Sequence, residues 1–366
     1  YRIDHILGFF RIWQIPIDSV HGLLGTFYPA LPLTADEMRY NYGFYMNRER
    51  FTQPYLHEYF IGEYFGEYTE EAKQRFLNPM GEGRYEVQDY VNTQSKVLSY
   101  FSQFADDEKN RKLKDGLMSA LDDVLFVVDR YDSNKYLPRI SAYQAHASAW
   151  LNDYEKGCFN RLYEDFFYHR HNFFWQDNAM MKLPAITQST DMLVCGEDLG
   201  MIPACVSNVM NWMKYLSLEI PRMPKETGVE FGNTANYPYL SVSTTSTHDM
   251  SGIRGWWEEN PAATQRYYNT QLHLDGTAPQ VASPEICRLM LDDCLKSPSI
   301  LCILPLQDWI AMDGNIRRAN PQEEQINIPA NSRHYWRYRM HLTLEDLLAN
   351  ESFTNLVKEC IKASGR

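Results

Sequence analysis

Basic residues are in deficit: the chain carries 35 Lys and Arg against 47 Asp and Glu, a formal net charge of −12. That balance argues against a nucleic-acid or anionic-membrane partner, since either wants a positive face, and it suits a neutral substrate. Long hydrophobic runs are missing as well. No apolar stretch reaches the roughly 18 residues that a membrane-spanning helix needs, so no membrane span is expected. Cysteine is sparse and unpatterned. The seven, at positions 158, 195, 205, 287, 294, 302 and 360, form no C-x-x-C pair and no Cys/His cluster with zinc spacing. An odd number scattered through apolar segments reads as free, buried thiols in a reducing, cytoplasmic compartment. Also absent are a G-x-S-x-G elbow for a serine triad and any G-x-G-x-x-G or Walker loop to cradle a phosphate. No internal repeat or low-complexity tract occurs.

What is abundant is aromatic. Aromatic residues make up 14% of the chain, with 8 Trp and 25 Tyr. Most must fill core; a minority is expected to serve as flat platforms for sugar rings. Hydrophobic residues at 44% and charged residues at 22% are ordinary for a folded chain, and 366 residues suit one large domain or two smaller ones.

The texture changes along the chain. Residues 1–4 read as the end of a strand, followed by an apolar loop, Gly8-Phe9-Phe10-Arg11-Ile12-Trp13-Gln14-Ile15-Pro16, within a segment 1–31. Segment 32–180 reads as a mainly helical insertion. Thr34-Ala35-Asp36-Glu37 has the form of a capping box, and Leu113, Leu117, Leu121, Val124 and Val128 recur at helical spacing. Over 181–366, short β-type runs at 191–196, 217–222, 240–247 and 299–306 alternate with helical segments at 203–216, 250–270 and 284–296. Strand and helix in alternation mean parallel βα units. The α/β class follows, and the expected architecture is a (β/α)8 TIM barrel represented from about strand 4 to strand 8. Roughly the first three βα units are not in the chain, so the missing half of the barrel is expected upstream or on a partner.

Three acids end three of these runs: Asp4 in Arg2-Ile3-Asp4-His5, Glu197 in Cys195-Gly196-Glu197-Asp198-Leu199-Gly200, and Asp249 in Thr247-His248-Asp249. A barrel presents the C-terminal ends of its strands on one face, where catalytic groups gather. Acids delivered there by different strands are the equipment for attacking a glycosidic bond. Arg2 lies two residues before Asp4, so on a strand both side chains leave the same side and the guanidinium can keep the carboxylate ionised. Glu197 sits where burial and like charge would suit a general acid. Asp198 is expected to bond the loop from the opposite face, and Asp249 to bind sugar hydroxyls. His169 and His171, which flank Arg170, read as a salt-bridged surface, not a metal site. Of Trp256 and Trp257, on opposite sides of a helix, one is expected in the core; Trp256 is placed at the cleft.

These motifs, with Gly8-Phe9, Leu304-Pro305-Leu306-Gln307-Asp308, Asn327-Ile328-Pro329 and Tyr335-Trp336-Arg337-Tyr338-Arg339, occur in the order found in glycoside hydrolase family 77. The chain resembles these 4-α-glucanotransferases, the amylomaltases and disproportionating enzymes. The long insertion between Asp4 and Glu197, and Met250 after His248-Asp249, look like the plant-cytosolic branch. The resemblance implies a nucleophile at Asp4, an acid/base at Glu197 and a transition-state stabiliser at Asp249. It implies donor-subsite contacts at Arg2, His5 and His248, and it leaves Gln307 and Asn327 in binding motifs without a firm role. It also implies an α-glucan or maltose substrate and no metal or organic cofactor. Two rival readings stand beside it: an α-amylase-type hydrolase with the same acids, and a catalytically inactive glucan-binding fragment. Acceptor shaping and a homodimer contact are both open roles for the insertion.

Overall fold

Parallel-sheet strands are apolar runs because both faces are covered, and five such runs pair here side by side. The computed structural model describes residues 1–366, which form two compact units: Tyr1–Leu7 with Met181–Ile202 and Val206–Arg366, and Gly8–Met180 with Pro203–Cys205. The first unit holds the parallel strands β1 (Arg2–Ile3), β2 (Cys195–Gly196), β3 (Ser217–Glu219), β4 (Ser241–Ser243) and β5 (Leu301–Cys302). β1 pairs with β2 in the register Arg2↔Cys195 and Ile3↔Gly196. A bridge from Cys195 to Leu216 joins β2 to β3, and β3, β4 and β5 continue in order. The spatial order is therefore the chain order, as in a (β/α)8 barrel. β1 and β5 each keep one unpaired edge.

Behind the sheet, Leu216, Leu218, Ile220 and Val242 are buried together. A second cluster is carried by the helices Ile253–Glu259, Pro261–Thr270, Pro284–Leu295 and Glu351–Ser364, with Ile253, Trp257, Tyr267, Met290, Leu291 and Cys360 inside it. Local chemistry fixes where these helices begin. Ser283 Oγ accepts from Ile286 N at the head of Pro284–Leu295, with proline in the first helical position where no amide hydrogen is needed. Asn260 and Pro261 do the same for the preceding helix, and so split the expected single helix 250–270 in two.

The second unit is less purely helical than its composition implies. Helices Gln94–Phe101, Glu108–Leu121, Asp153–Glu164 and Asn172–Met180 are joined by antiparallel pairings. Phe126–Val128 pairs with Lys135–Pro138, and Leu77–Gly81 pairs with Arg84–Val87, which also pairs with Leu56–His57. Leu113, Leu117 and Leu121 bury one face of their helix against Phe65 and Phe76. The helical spacing does not extend to Val128, which lies in a strand. The helix ends at Leu121 because the next two residues are buried acids with other partners: Asp122 takes Gln94 Nε2 (2.9 Å), and Asp123 takes Ala147 N (3.0 Å). The expected capping box is half formed. Thr34 Oγ1 accepts from Glu37 N (3.1 Å), but the Glu37 carboxylate turns to Arg170 (2.6 Å). His171 is a core residue, not part of a salt-bridged surface. It stacks on Trp175, Leu31 N donates to its Nε2, its Nδ1 bonds Phe166 O, and burial pushes its pKa down to about 4.

Candidate active site

Register decides the first half of the site. Because Ile3 pairs with Gly196, Asp4 and Glu197 are the next residues along two adjacent parallel strands and leave the sheet on one side. The backbone is laced around them: Glu197 N donates to Ile3 O (2.9 Å) and Ile6 N donates to Glu197 O (3.0 Å). The turn after Asp4 puts His5 at a φ of 45°, and His5 N then donates directly to Glu197 Oε2 (2.8 Å). The Glu197 carboxylate thus leans over the strand end that carries Asp4. Arg2 Nη2 donates to Asp4 Oδ1 (2.9 Å), the contact expected from their spacing, and Asp4 remains 74% exposed. Close approach explains Gly196. A Cβ there would sit 2.9 Å from Ile6 Cδ1 and 3.0 Å from Met210 Cε.

A cavity of about 270 Å³ opens at the C-terminal ends of the strands. That is slightly under the usual size of a ligand pocket, roughly 300–1,000 Å³. Arg2 and Glu197 line it with Leu218, Val242, Thr244, Ser246, Thr247 and Pro305. Leu218, Val242, Ile303, Leu304 and Pro305 make its lining mainly apolar, and the buried Thr244 and Ser246 are among its polar groups.

The second half of the site follows β4. Asp249 is held from two directions, by His248 Nε2 (3.0 Å) and by Asn327 Nδ2, which donates to Asp249 Oδ1 at 2.6 Å. The His248 ring lies 5.3 Å from the ring of Trp336, which is 58% exposed. Thr247, next in the chain, is one of the cavity-lining residues, so this cluster flanks the same opening as Glu197.

Two residues without an expected role fix the loop that carries Asp249. Asp308 is 2% exposed; Thr245 Oγ1 (2.6 Å), Ser246 Oγ (2.7 Å) and Ile253 N (3.0 Å) all donate to its carboxylate. Arg222 Nη2 donates to Thr245 O (3.0 Å) and Ser251 O (2.9 Å), closing the loop at both ends. Burial lowers the Arg222 pKa, with Asp308 working against that shift. Asp308 stood in a quoted motif, but nothing in its spacing distinguished an anchor from a ligand contact. Asp198 does bond across the sheet. Leu218 N (2.9 Å) and Lys225 Nζ (2.8 Å) donate to it, and burial raises its pKa to about 6, a shift Lys225 partly counters.

Trp256 is placed differently from its expected position at the cleft. It packs against Phe231, Trp257 and Tyr267, under the Arg222 guanidinium (5.1 Å), and lines no part of the cavity. The reason is that its helix presents both Trp256 and Trp257 to the same cluster. Trp336 is the aromatic ring beside Asp249 instead. Gln307 sits half-buried in the helix Leu306–Ile310, directly after the cavity-lining Leu304 and Pro305.

The family model for 4-α-glucanotransferases, glycoside hydrolase family 77, matches residues 1–344. A rice protein, "4-alpha-glucanotransferase DPE2" of Oryza sativa subsp. japonica, is 36% identical over 370 residues, covering 100% of this chain and 39% of the rice protein. The 4-alpha-glucanotransferase of Chlamydia pneumoniae is 30% identical over 182 residues, 49% of this chain and 34% of that one. Among solved structures, the amylomaltase of Streptococcus agalactiae in complex with acarbose matches with a TM-score of 0.40 at 20% identity, covering 52% of this chain and 35% of that chain. The chain thus spans well under half the length of these relatives. With Asp4 and Glu197 at the ends of neighbouring strands and a family match that runs through both, this chain belongs to the 4-α-glucanotransferase family, glycoside hydrolase family 77.

Proposed function

We propose that the protein containing this chain is a 4-α-glucanotransferase that moves glucosyl or glucanosyl units between α-1,4-glucans by retaining double displacement. Asp4 attacks the anomeric carbon while Glu197 protonates the departing sugar oxygen. The 4-hydroxyl of an acceptor glucan then displaces Asp4, with Glu197 acting as base. Asp249, steadied by His248 and Asn327, binds sugar hydroxyls and stabilises the oxocarbenium-like transition state. Arg2 pairs with Asp4 and orients its carboxylate.

One observation carries this reading: the β1/β2 register that makes Asp4 and Glu197 neighbours. Adjacent strands lie about 4.7–4.9 Å apart. Retaining glycosidases need their carboxyls about 5–5.5 Å apart, whereas inverting ones need about 6.5–9.5 Å. Strand neighbours bring the two carboxyls onto adjacent strand ends, an arrangement compatible with the covalent, retaining route.

The five strands are read as strands 4 to 8 of a closed (β/α)8 barrel, a reading their sequential order supports. No helix is long and apolar enough to cross a membrane. A cytoplasmic location is the reading that seven free cysteines support. The test is Asp4→Asn and Glu197→Gln in the full-length protein, assayed for glucose release from maltose with glycogen as acceptor. Each is expected to lower kcat by several orders of magnitude. Near-normal release by either variant would refute its role, and net reducing-end growth without longer oligosaccharides would mark a hydrolase instead.

A further inference from the structure

The second unit carries an aromatic array that no part of the reaction uses. Tyr55 and His57 lie on the strand Leu56–His57 and its approach, and Tyr59 in the turn that follows, closed by Phe60 N donating to His57 O (2.9 Å), while Leu56 is buried. Neighbouring rings are nearly parallel: Tyr55 and His57 at 10°, His57 and Tyr59 at 16° with centroids 4.7 Å apart. A fourth ring arrives from a distant segment. Trp150 lies 6.0 Å from Tyr59 at 28° and tilts against Tyr55 (52°) and His57 (44°), with Phe60 edge-on to it at 90°.

This array is held rigidly yet left open. Tyr59 N donates to His57 Nδ1 (3.3 Å), so the other ring nitrogen, Nε2, carries the hydrogen and donates to Glu82 O (3.1 Å). Both edges of the imidazole are committed, and its plane is fixed. Arg50 Nη2 donates to Trp150 O (2.7 Å), holding the backbone beneath the indole, and the Arg84 guanidinium sits over Tyr55 (5.8 Å). Even so, Tyr59 is 76% exposed and Trp150 37%. No hydrogen bond within the chain engages the Tyr55 hydroxyl, the Tyr59 hydroxyl or the Trp150 indole N–H. A rigid ring cluster that leaves Tyr59 and part of Trp150 exposed, rimmed by unclaimed donors and acceptors, is preorganised for a ligand that alternates C–H faces with hydroxyls.

We propose that Tyr55, His57, Tyr59 and Trp150 form a second carbohydrate-binding site, remote in sequence from the catalytic acids, that holds an α-1,4-glucan chain by stacking. Pyranose C–H groups carry slight positive charge and meet the negative faces of the rings, while sugar hydroxyls bond the ring tips. Nucleobases also stack on such rings, but a chain of net charge −12 repels their phosphates. A protein partner is disfavoured by size. Stable interfaces bury about 1,200–2,000 Å², and an aromatic side chain contributes about 150–250 Å². The choice of an α-glucan over another sugar rests on the proposed activity; the geometry of the array does not.

The test is hydroxyl-radical footprinting of the full-length protein carrying Glu197→Gln, with maltoheptaose as probe and cellohexaose as control. Maltoheptaose is expected to protect Tyr59 and Trp150 about threefold or more. Adding Tyr59→Ser, a change at an exposed ring, is expected to weaken protection of Trp150 about tenfold in sugar concentration, the scale of one lost stack. Three outcomes, the first two read against sugar and the last without it, overturn the proposal. The first is no protection at saturating maltoheptaose, and the second is equal protection by cellohexaose. The third is protection that follows protein concentration without sugar, which would make the array a contact between copies. If Glu197→Gln leaves turnover intact, the activity reading fails while the footprint still reports on this site.

Discussion

Asp249 depends on a hydrogen bond from a residue far along the chain. Asn327 Nδ2 donates to its Oδ1 at 2.6 Å, and a bond to a charged group is worth about 1.5–3 kcal/mol. Asn327→Ala is therefore expected to lower kcat on maltose roughly tenfold to a hundredfold, with the melting temperature almost unchanged. Steady-state kinetics beside thermal denaturation checks this, and a loss confined to KM would contradict it. Asp198 makes a prediction in pH. Burial raises its pKa to about 6, against about 3.9 in an unfolded chain. The fold therefore prefers the protonated acid: its contribution is fully present below about pH 4 and is lost as pH rises through about 6. Asp198→Asn keeps an acceptor for Leu218 N and removes the titration. The variant's melting temperature is expected to vary less between pH 4 and 6 than the parent's, and identical profiles would contradict the assignment. Of the proposed catalytic set, the placing of Asp4, Glu197 and Arg2 at the ends of neighbouring strands was legible because strand parity fixes it. The Asn327 contact was not legible, because it joins two loops whose approach no periodicity encodes.

Elements show where pattern reading succeeds and where it stops. β3 and β4 were readable as apolar runs bounded by polar turns, and their pairing in chain order followed from alternation with helices. The hairpin over 77–87 was not readable. Leu77-Asn78-Pro79-Met80-Gly81 carries turn residues inside a strand, and its return at Glu82 and Gly83 relies on positive φ values of 53° and 73°. The 245–251 loop is the element on which Asp249 depends, and its anchor is Asp308 below it. Removing that carboxylate orphans two hydroxyls and one amide in a buried place, where each unmet group costs about 1–3 kcal/mol. Asp308→Ala is expected to destabilise the first unit by about 3 kcal/mol or more and to reduce kcat by disordering Asp249. Chemical denaturation with the activity assay tests both, and unaltered stability would remove Asp308 from this role.

At the scale of the whole molecule, the sheet itself limits what these residues do alone. β1 and β5 each present an unpaired edge, and the cavity that holds Glu197 has walls only from the five strands and their loops. Unpaired edges recruit other strands, whereas a closed barrel has none to offer. β1, which delivers Asp4, is one of the two edge strands, so the proposed nucleophile rests on a strand paired along one side only. A site that must hold two carboxyls within about half an ångström of working geometry tolerates little of that freedom. The 366-residue chain on its own is therefore expected to turn over maltose and glycogen at about a hundredth of the full-length rate or less, and to self-associate as concentration rises. Supplying strands that pair with these open edges, joined to the chain or added as a separate polypeptide, is expected to raise turnover and suppress association together. Sedimentation velocity run beside the glucose-release assay distinguishes the outcomes. A monodisperse, fully active 366-residue chain would show that the open edge at β1 leaves Asp4 in place, and that five strands suffice for the chemistry.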